Sequence, residues 1–280
     1  MGYQSKNMHY IYHVEYFEGL HLFGPKKPEE KQSGQKQLGQ KTGNKGKQGS
    51  ADSGENDKIW GVKEKNQAVC DFVFPSEHLF AELENMEQFC SFTLNTTYPG
   101  LLLGIGNPHQ ISEDGSFKLG FSFDYVTGLP YIPGSTLKGV LRSYFPEDGK
   151  KKKEEFQDLI CTLLEQENGY EAEPLKQDIF EHGRDIFLGA YPVVEDQRGI
   201  MEREYITPHP SRFKNPNPIS LLKVKPDVSF RFCFLLQDFV PDTGAVITAQ
   251  DKLNLFRELL LLGGIGAKTN VGFGGLTAAK

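Results

Sequence analysis

Near its end the chain runs four leucines, Leu259, Leu260, Leu261 and Leu262, into Gly263-Gly264-Ile265-Gly266-Ala267-Lys268-Thr269-Asn270-Val271-Gly272-Phe273-Gly274-Gly275. Six glycines in thirteen residues cannot continue a helix. Glycine serves where backbone takes positive φ or must approach another group closely. The order, apolar helix first and glycines after, excludes two familiar loops. A P-loop needs Gly directly before Lys-Ser/Thr and sits between a strand and the following helix. Here Ala267 precedes Lys268-Thr269. A dinucleotide fingerprint also opens a helix, and no helical pattern follows Gly274. A single helix C-cap needs one glycine, not six. Free backbone N–H groups in such a loop can cradle a phosphate, with Lys268 to neutralise it.

A second segment reads Gly128-Leu129-Pro130-Tyr131-Ile132-Pro133-Gly134-Ser135-Thr136-Leu137-Lys138-Gly139-Val140-Leu141-Arg142. Pro130 and Pro133 hold the approach extended. Ser135 is the expected N-cap of a helix. Leu137, Val140, Leu141, Tyr144 and Phe145 follow one helical face. Lys138 and Arg142 lie one turn apart on the other side with Ser135, giving a small cationic stripe that starts at the helix N-terminus.

Together, the two segments resemble the RAMP superfamily, the RNA-binding proteins of CRISPR effector complexes. Gly104-Ile105-Gly106-Asn107-Pro108, Asp185-Ile186-Phe187-Leu188-Gly189-Ala190-Tyr191-Pro192-Val193 and Ile206-Thr207-Pro208-His209 extend the likeness. In this order they are similar to the sixth-subunit family of the Cmr (type III-B) complex. The likeness runs over roughly residues 89–275 and leaves the first 88 residues uncovered. It implies an α+β, ferredoxin-like fold with an antiparallel sheet and helices on one face. It also implies a subunit that holds guide RNA towards its 3′ end, beside other RAMP subunits, and shapes the guide–target duplex. Sequence readout is then left to base pairing.

The expected RNA-contacting residues are Ser135, Thr136, Lys138 and Arg142, with Gly264, Gly266, Lys268, Thr269, Asn270, Gly272 and Gly274 from the loop. They are expected to form one continuous phosphate track. The partners are guide RNA, target RNA and other subunits of the complex, with no cofactor and no metal.

The net charge of −6 argues against a free-standing nucleic-acid protein, which usually shows a basic face. The distribution answers this: residues 263–280 hold two lysines and no acid, while acids gather at 77–87 and 154–181. A subunit that shares its RNA needs only a local cationic patch. No apolar run approaches the ~20 residues of a membrane span, and a polar, aromatic start is not a signal peptide. Cys70, Cys90, Cys161 and Cys233 form no CxxC pair, which supports neither zinc nor a disulfide framework. A cytoplasmic protein is expected.

Residues 24–58 are rich in Lys, Gln, Gly and Ser. Such composition cannot bury enough apolar area to offset ordering entropy, so disorder is expected. Seven lysines against two acids over residues 26–49 allow a solvated linker or a basic arm with non-specific RNA affinity. The expected organisation is a strand-like segment over 1–23, this insert, and a RAMP domain over 59–280 with insertions around 146–184 and 195–219.

Within that frame Tyr10-Ile11-Tyr12-His13-Val14 reads as a strand. So do residues 89–97, 186–194, 228–236 and 271–276. Residues 154–167 read as a helix. Residues 195–218, with four prolines, read as irregular. Thr248 starts a helix, with Asp251 three residues on as a variant capping box. The main order is strand, helix, strand, strand, helix, strand, the ferredoxin-like pattern, whose second sheet face is expected to be free for RNA.

A metal-independent ribonuclease needs an acid–base pair at the scissile phosphate. His109, with Asp114 and Asp124 near it in sequence, and His209 are the candidates, and none stands at a diagnostic spacing. In the family the chain resembles, target cleavage belongs to a different, repeated subunit. The expected chain is therefore non-catalytic. An endoribonuclease processing CRISPR RNA and a purely architectural subunit are the alternatives.

Overall fold

The computed structural model describes residues 3–20, 61–75, 79–104, 109, 115–147, 153–166, 171–194, 199–207, 218–241 and 245–279. The insert expected at 24–58, Asp114 and His209 lie outside the described residues. In chain order the elements are α1 (Met8–His13), α2 (Val62–Cys70), β1 (Phe89–Thr96), α3 (Gly134–Arg142), α4 (Lys153–Leu163), α5 (Glu173–Phe180), β2 (Ile186–Pro192), β3 (Met201–Ile206), β4 (Ile219–Val224), β5 (Ser229–Leu235), α6 (Ala249–Gly263) and β6 (Leu276–Ala278).

Four strands form one sheet in the order β2-β5-β1-β6, each neighbour antiparallel. With α3 after β1 and α6 after β5, this is the ferredoxin-like arrangement. Alternation along β5 sends Phe230, Phe232 and Phe234 to one face, and all three are fully buried. Opposite them on β1 stand Leu94, Phe92 and Cys90. Phe256 of α6 closes that face, its ring 5.5 Å from Phe234 and 5.6 Å from Phe187. Burying each such phenylalanine contributes about 1.5–3 kcal/mol.

The start of α6 is set locally. Asp251 N–H donates to Thr248 Oγ1 at 3.1 Å and Thr248 N–H donates to Asp251 Oδ2 at 2.9 Å, the expected capping box. Further along, α6 carries a buried charge. Lys252 Nζ lies 2.8 Å from Asp178 Oδ2 and 2.6 Å from Asp185 Oδ2, with no exposure of the lysine. Arg184 Nη1 reaches the other Asp178 oxygen at 3.1 Å, and Gln237 N–H donates to Asp185 Oδ1 at 2.9 Å. The set ties α5, the entry to β2 and α6 together. Asp185 of the Asp-Ile-Phe-Leu-Gly motif is thus a core fastener.

Several expectations need correction. Residues 10–14 are not a strand: α1 covers Tyr10 to His13 and ends at Val14, because Asn7 Oδ1 accepts the Tyr10 N–H at 3.1 Å and Met8, Ile11 and Tyr12 are buried at i, i+3, i+4 spacing. A cap and a helical face override the β preference of tyrosine and isoleucine. Ser135 does not cap α3. The helix begins at Gly134 after Pro133, with no side-chain cap, because Ile132 pairs with Ala190 on β2 and fixes where the chain turns. The stretch 195–218 is not wholly irregular, since β3 pairs with β4 from Met201↔Val224 to Ile206↔Ile219. Glu202 and Glu204 of β3 flank the buried Lys223 of β4 at 3.2 and 2.8 Å, a cross-strand pairing that no local pattern reports. The last strand starts at Leu276, not 271, because residues 269–271 turn as a 3-10 helix and Gly272 and Gly274 take φ of +97° and +73°.

The second sheet face is not bare. Arg231 Nε donates to Ser91 Oγ at 3.1 Å, its guanidinium pairs with Glu84, and Phe80 packs edge-on against Tyr191 at 5.4 Å.

Candidate functional site

The glycine loop folds back on its own neighbourhood. Gly264 N–H caps α6 through Leu260 O at 2.9 Å, and Ile265 N–H donates to Gly274 O at 2.9 Å. Ala267 N–H donates to Leu102 O at 3.0 Å and Gly274 N–H to Gly100 O at 2.9 Å. The loop is therefore pinned against residues 97–102, just past β1.

This packing accounts for five of the six glycines. A Cβ would lie 1.2 Å from Tyr144 Oη at Gly263, 2.4 Å from Gly274 O at Gly264 and 2.7 Å from Leu102 O at Gly266. At Gly274 it would lie 1.9 Å from Ile265 O, and at Gly275 2.5 Å from Thr97 Oγ1. Gly272 alone has room, its nearest neighbour being Pro99 Cδ at 3.7 Å, and there φ of +97° favours glycine. Four of these close contacts are within the loop or with the segment beneath it, and the fifth is with Tyr144.

Outside that pinned base lies an exposed arc of Gly266, Ala267, Lys268, Thr269, Asn270, Val271 and Gly272. Lys268 is left-handed at φ 61°, ψ 35°. Among the described residues, the backbone N–H groups of Gly266, Lys268, Thr269 and Asn270 make no hydrogen bond. Nor does the Lys268 ammonium pair with an acid. The arc presents unpaired donors and one cation on a fixed frame, the equipment for a phosphate.

The α3 segment is built differently. Gly134 and Gly189 stand back to back: a Cβ on Gly134 would lie 1.9 Å from Phe187 O, and one on Gly189 2.5 Å from Ile132 O. This brings the helix N-terminus tight onto edge strand β2. Ser135 and Thr136 are exposed there. Lys138 lies half-buried with Nζ 5.8 Å from the Phe187 ring centroid. Arg142 is exposed but engaged, Nη2 lying 2.8 Å from Glu181 Oε1. Such an exposed pair is worth about 0–1 kcal/mol, so a phosphate can replace Glu181.

Gly263, at the start of the loop, abuts Tyr144, just beyond α3. Among the described residues no hydrogen bond joins Ser135, Thr136, Lys138 or Arg142 to the loop. Sequence reasoning missed this contact of Tyr144 and missed the 97–102 segment as the loop's seat.

His109 stands elsewhere. It is 4% exposed, with Nε2 2.8 Å from Tyr12 O and Nδ1 3.1 Å from Phe117 O. Tyr12 stacks on it at 4.3 Å, with Phe17 at 4.5 Å. Burial pushes its pKa below the usual histidine range, while the two carbonyls pull it back part of the way. The ring is wedged between the Tyr12 and Phe117 carbonyls and donates its one N–H to one of them, holding the N-terminal segment to the domain. Asp124 is spent on its own turn, accepting from Thr127 N–H at 2.8 Å. Among the described residues there is no group of three or more His, Cys, Asp or Glu that could hold a metal, and no helix is long and apolar enough to cross a membrane.

The curated CRISPR system CMR subunit Cmr6 of Saccharolobus solfataricus (strain ATCC 35092 / DSM 1617 / JCM 11322 / P2) is 32% identical over 162 residues, 56% of this chain and 48% of that protein. The chain thus spans about half the length of the curated relative it matches. A chain in the cryo-EM structure of the Type III-B Cmr-beta bound to cognate target RNA is 22% identical, with a TM-score of 0.49 over 82% of this chain and 77% of that one. The crystal structure of Cmr6 from Pyrococcus furiosus is 20% identical, with a TM-score of 0.42 over 68% of this chain and 98% of that one. The RAMP superfamily model matches residues 93–277, from β1 through the glycine loop to β6, and the chain belongs to the RAMP superfamily.

Proposed function

We propose that the chain is a non-catalytic RNA-binding subunit of a type III-B CRISPR (Cmr) effector complex. It holds guide RNA towards the 3′ end beside other RAMP subunits and helps shape the guide–target duplex in antiviral defence. The observation that carries RNA binding is the exposed arc at 266–272, where the N–H groups of Gly266, Lys268, Thr269 and Asn270 and the Lys268 ammonium are unspent among the described residues while the base is pinned. The likeness to the Saccharolobus subunit supports the assignment to that system. Lys268 meets phosphate from the loop. Ser135, Thr136, Lys138 and Arg142 meet it from the exposed start and side of α3. Phosphate contacts of this kind fix register and orientation without reading bases.

The non-catalytic reading rests on His109, whose ring is buried between two backbone carbonyls, so it cannot reach a ribose hydroxyl. Guide RNA and the other subunits of the complex are the partners.

The test measures binding of full-length chain to labelled guide RNA over a range of salt. The parent should show a steep salt slope. Lys268→Ala should reduce that slope by about 0.7, the share of one phosphate contact on a single strand. Equal affinity and slope for parent and variant would refute the reading. Cleavage of guide or target RNA by the purified chain would move the assignment to the endoribonuclease.

A further inference from the structure

Beside the phosphate-competent arc stands an aromatic side chain with nothing on it. Tyr98 is 85% exposed and Val271 is 68% exposed. They come from two segments, 97–100 and the glycine loop, that are hydrogen-bonded to each other. Thr97 N–H donates to Gly275 O at 3.0 Å, Gly100 N–H closes the 97–100 turn on Thr97 O at 2.7 Å, and Gly274 N–H donates to Gly100 O at 2.9 Å. Pro99 Cδ lies 3.7 Å from the position a Cβ would take on Gly272. Tyr98 therefore sits at the tip of a turn bonded on both sides to the glycine loop. Among the described residues its hydroxyl makes no hydrogen bond and its ring packs on no other ring.

Other tyrosines are spent differently. Tyr12 and Tyr16 are buried, and Tyr131 and Tyr191 stack on each other at 5.7 Å. A large ring left in water on a backbone held by several hydrogen bonds is pre-organised for a flat partner. Lys268 and the free N–H groups of 268–270 lie on the same loop, so whatever covers the ring meets a phosphate site next to it. A nucleotide supplies both, a planar base joined to a phosphate.

We infer that Tyr98 is a stacking platform for one unpaired base of single-stranded RNA, with Val271 beside it, while the neighbouring phosphate lies on the 266–272 arc. The inference rests on the RNA-binding reading above and adds a base-contacting subsite to it. Stacking on an aromatic ring tolerates any base, because every base has a π-face. The subsite would thus hold the strand in place without selecting sequence.

The experiment uses the full chain and fluorescence anisotropy. The probes are a labelled, unstructured oligouridylate of about twelve nucleotides and an abasic ribose-phosphate oligomer of the same length. Tyr98→Ala should weaken oligouridylate binding about five- to a hundredfold, the range expected for one stacked base. Tyr98→Phe and Tyr98→Trp should stay within about twofold of the parent, since the ring and not the hydroxyl does the stacking. On the abasic oligomer, parent and Tyr98→Ala should bind alike. The salt slope should be the same for both chains, whereas Lys268→Ala lowers it.

If Tyr98→Ala binds oligouridylate like the parent while Lys268→Ala does not, the platform is wrong and the phosphate reading survives. If neither change matters, both fail. A Tyr98→Ala chain equally weakened on the abasic oligomer, or one that keeps its RNA affinity but no longer associates with the other subunits, would assign the residue to backbone or protein contact and overturn the inference. Circular dichroism confirms folding, and an exposed turn residue is not expected to disturb it.

Discussion

Replacing Lys252 by methionine probes the fastener that ties α6 to α5 and the entry to β2. Lys252 is fully buried between Asp178 and Asp185, with Nζ 2.8 and 2.6 Å from their oxygens. Methionine keeps most of the volume but strands two buried carboxylates. Arg184 can offset Asp178 in part. Asp185, with no exposed side-chain surface, keeps only the Gln237 N–H. Breaking a buried pair by removing one partner costs about 3–5 kcal/mol. At about 2–4 °C per kcal/mol for a chain of this size, the melting temperature should fall by about 6–20 °C.

The deficit should also depend on pH. Burial pushes the Asp185 carboxyl above its usual range, and Lys252 and the Gln237 N–H pull it part of the way back. Without Lys252 the folded carboxyl takes up a proton more readily than the unfolded one. Acidification then favours the folded variant, and its deficit shrinks as the pH falls from neutral towards the ordinary carboxylate range. Thermal melts of parent and Lys252→Met across that range test this. Lys252→Met combined with Asp178→Asn and Asp185→Asn should recover more than half the loss. A deficit below about 1 kcal/mol, or one that grows on acidification, would show that the cluster is hydrated in solution and the reasoning wrong.

The glycine loop separates packing from function. Gly266→Ala and Gly272→Ala share the left-handed penalty of about 1–2 kcal/mol, but only the first drives a Cβ to 2.7 Å from Leu102 O. Differential scanning fluorimetry should therefore rank Gly266→Ala several degrees below Gly272→Ala; equal values would refute the packing account. Glu181→Gln releases Arg142 from its 2.8 Å partner and should tighten RNA binding by about two- to fivefold at low salt, measured by anisotropy. No change would exclude Arg142 from the phosphate contacts. His109→Ala removes a buried hydrogen bond and a stacked ring, so it should cost about 2–4 kcal/mol in urea unfolding and leave RNA affinity unaltered once the folded fraction is matched.

What the sequence determined was what neighbours a few residues apart can set. The apolar stripe of α3, the Thr248–Asp251 capping box, the phenylalanine alternation of β5 and the break at Gly263 are all local patterns. Those were enough for the strand–helix order and, with the motif likeness, for the family. The first helix escaped because Asn7 and the buried i, i+3, i+4 set outweigh the β preference of Tyr10 and Ile11. The strand β3 escaped because its charges make sense only opposite Lys223.

Tertiary structure decided which residues are free to act. Glycines that read as room for phosphate are largely room for Leu102, Gly274, Ile265 and Tyr144. His109, a loop histidine in sequence, is a buried clamp, and Arg142, a bare cation in sequence, has a partner in Glu181. Tyr98 drew no notice in sequence, because exposure is a property of what fails to pack against a residue, and only the folded chain settles that.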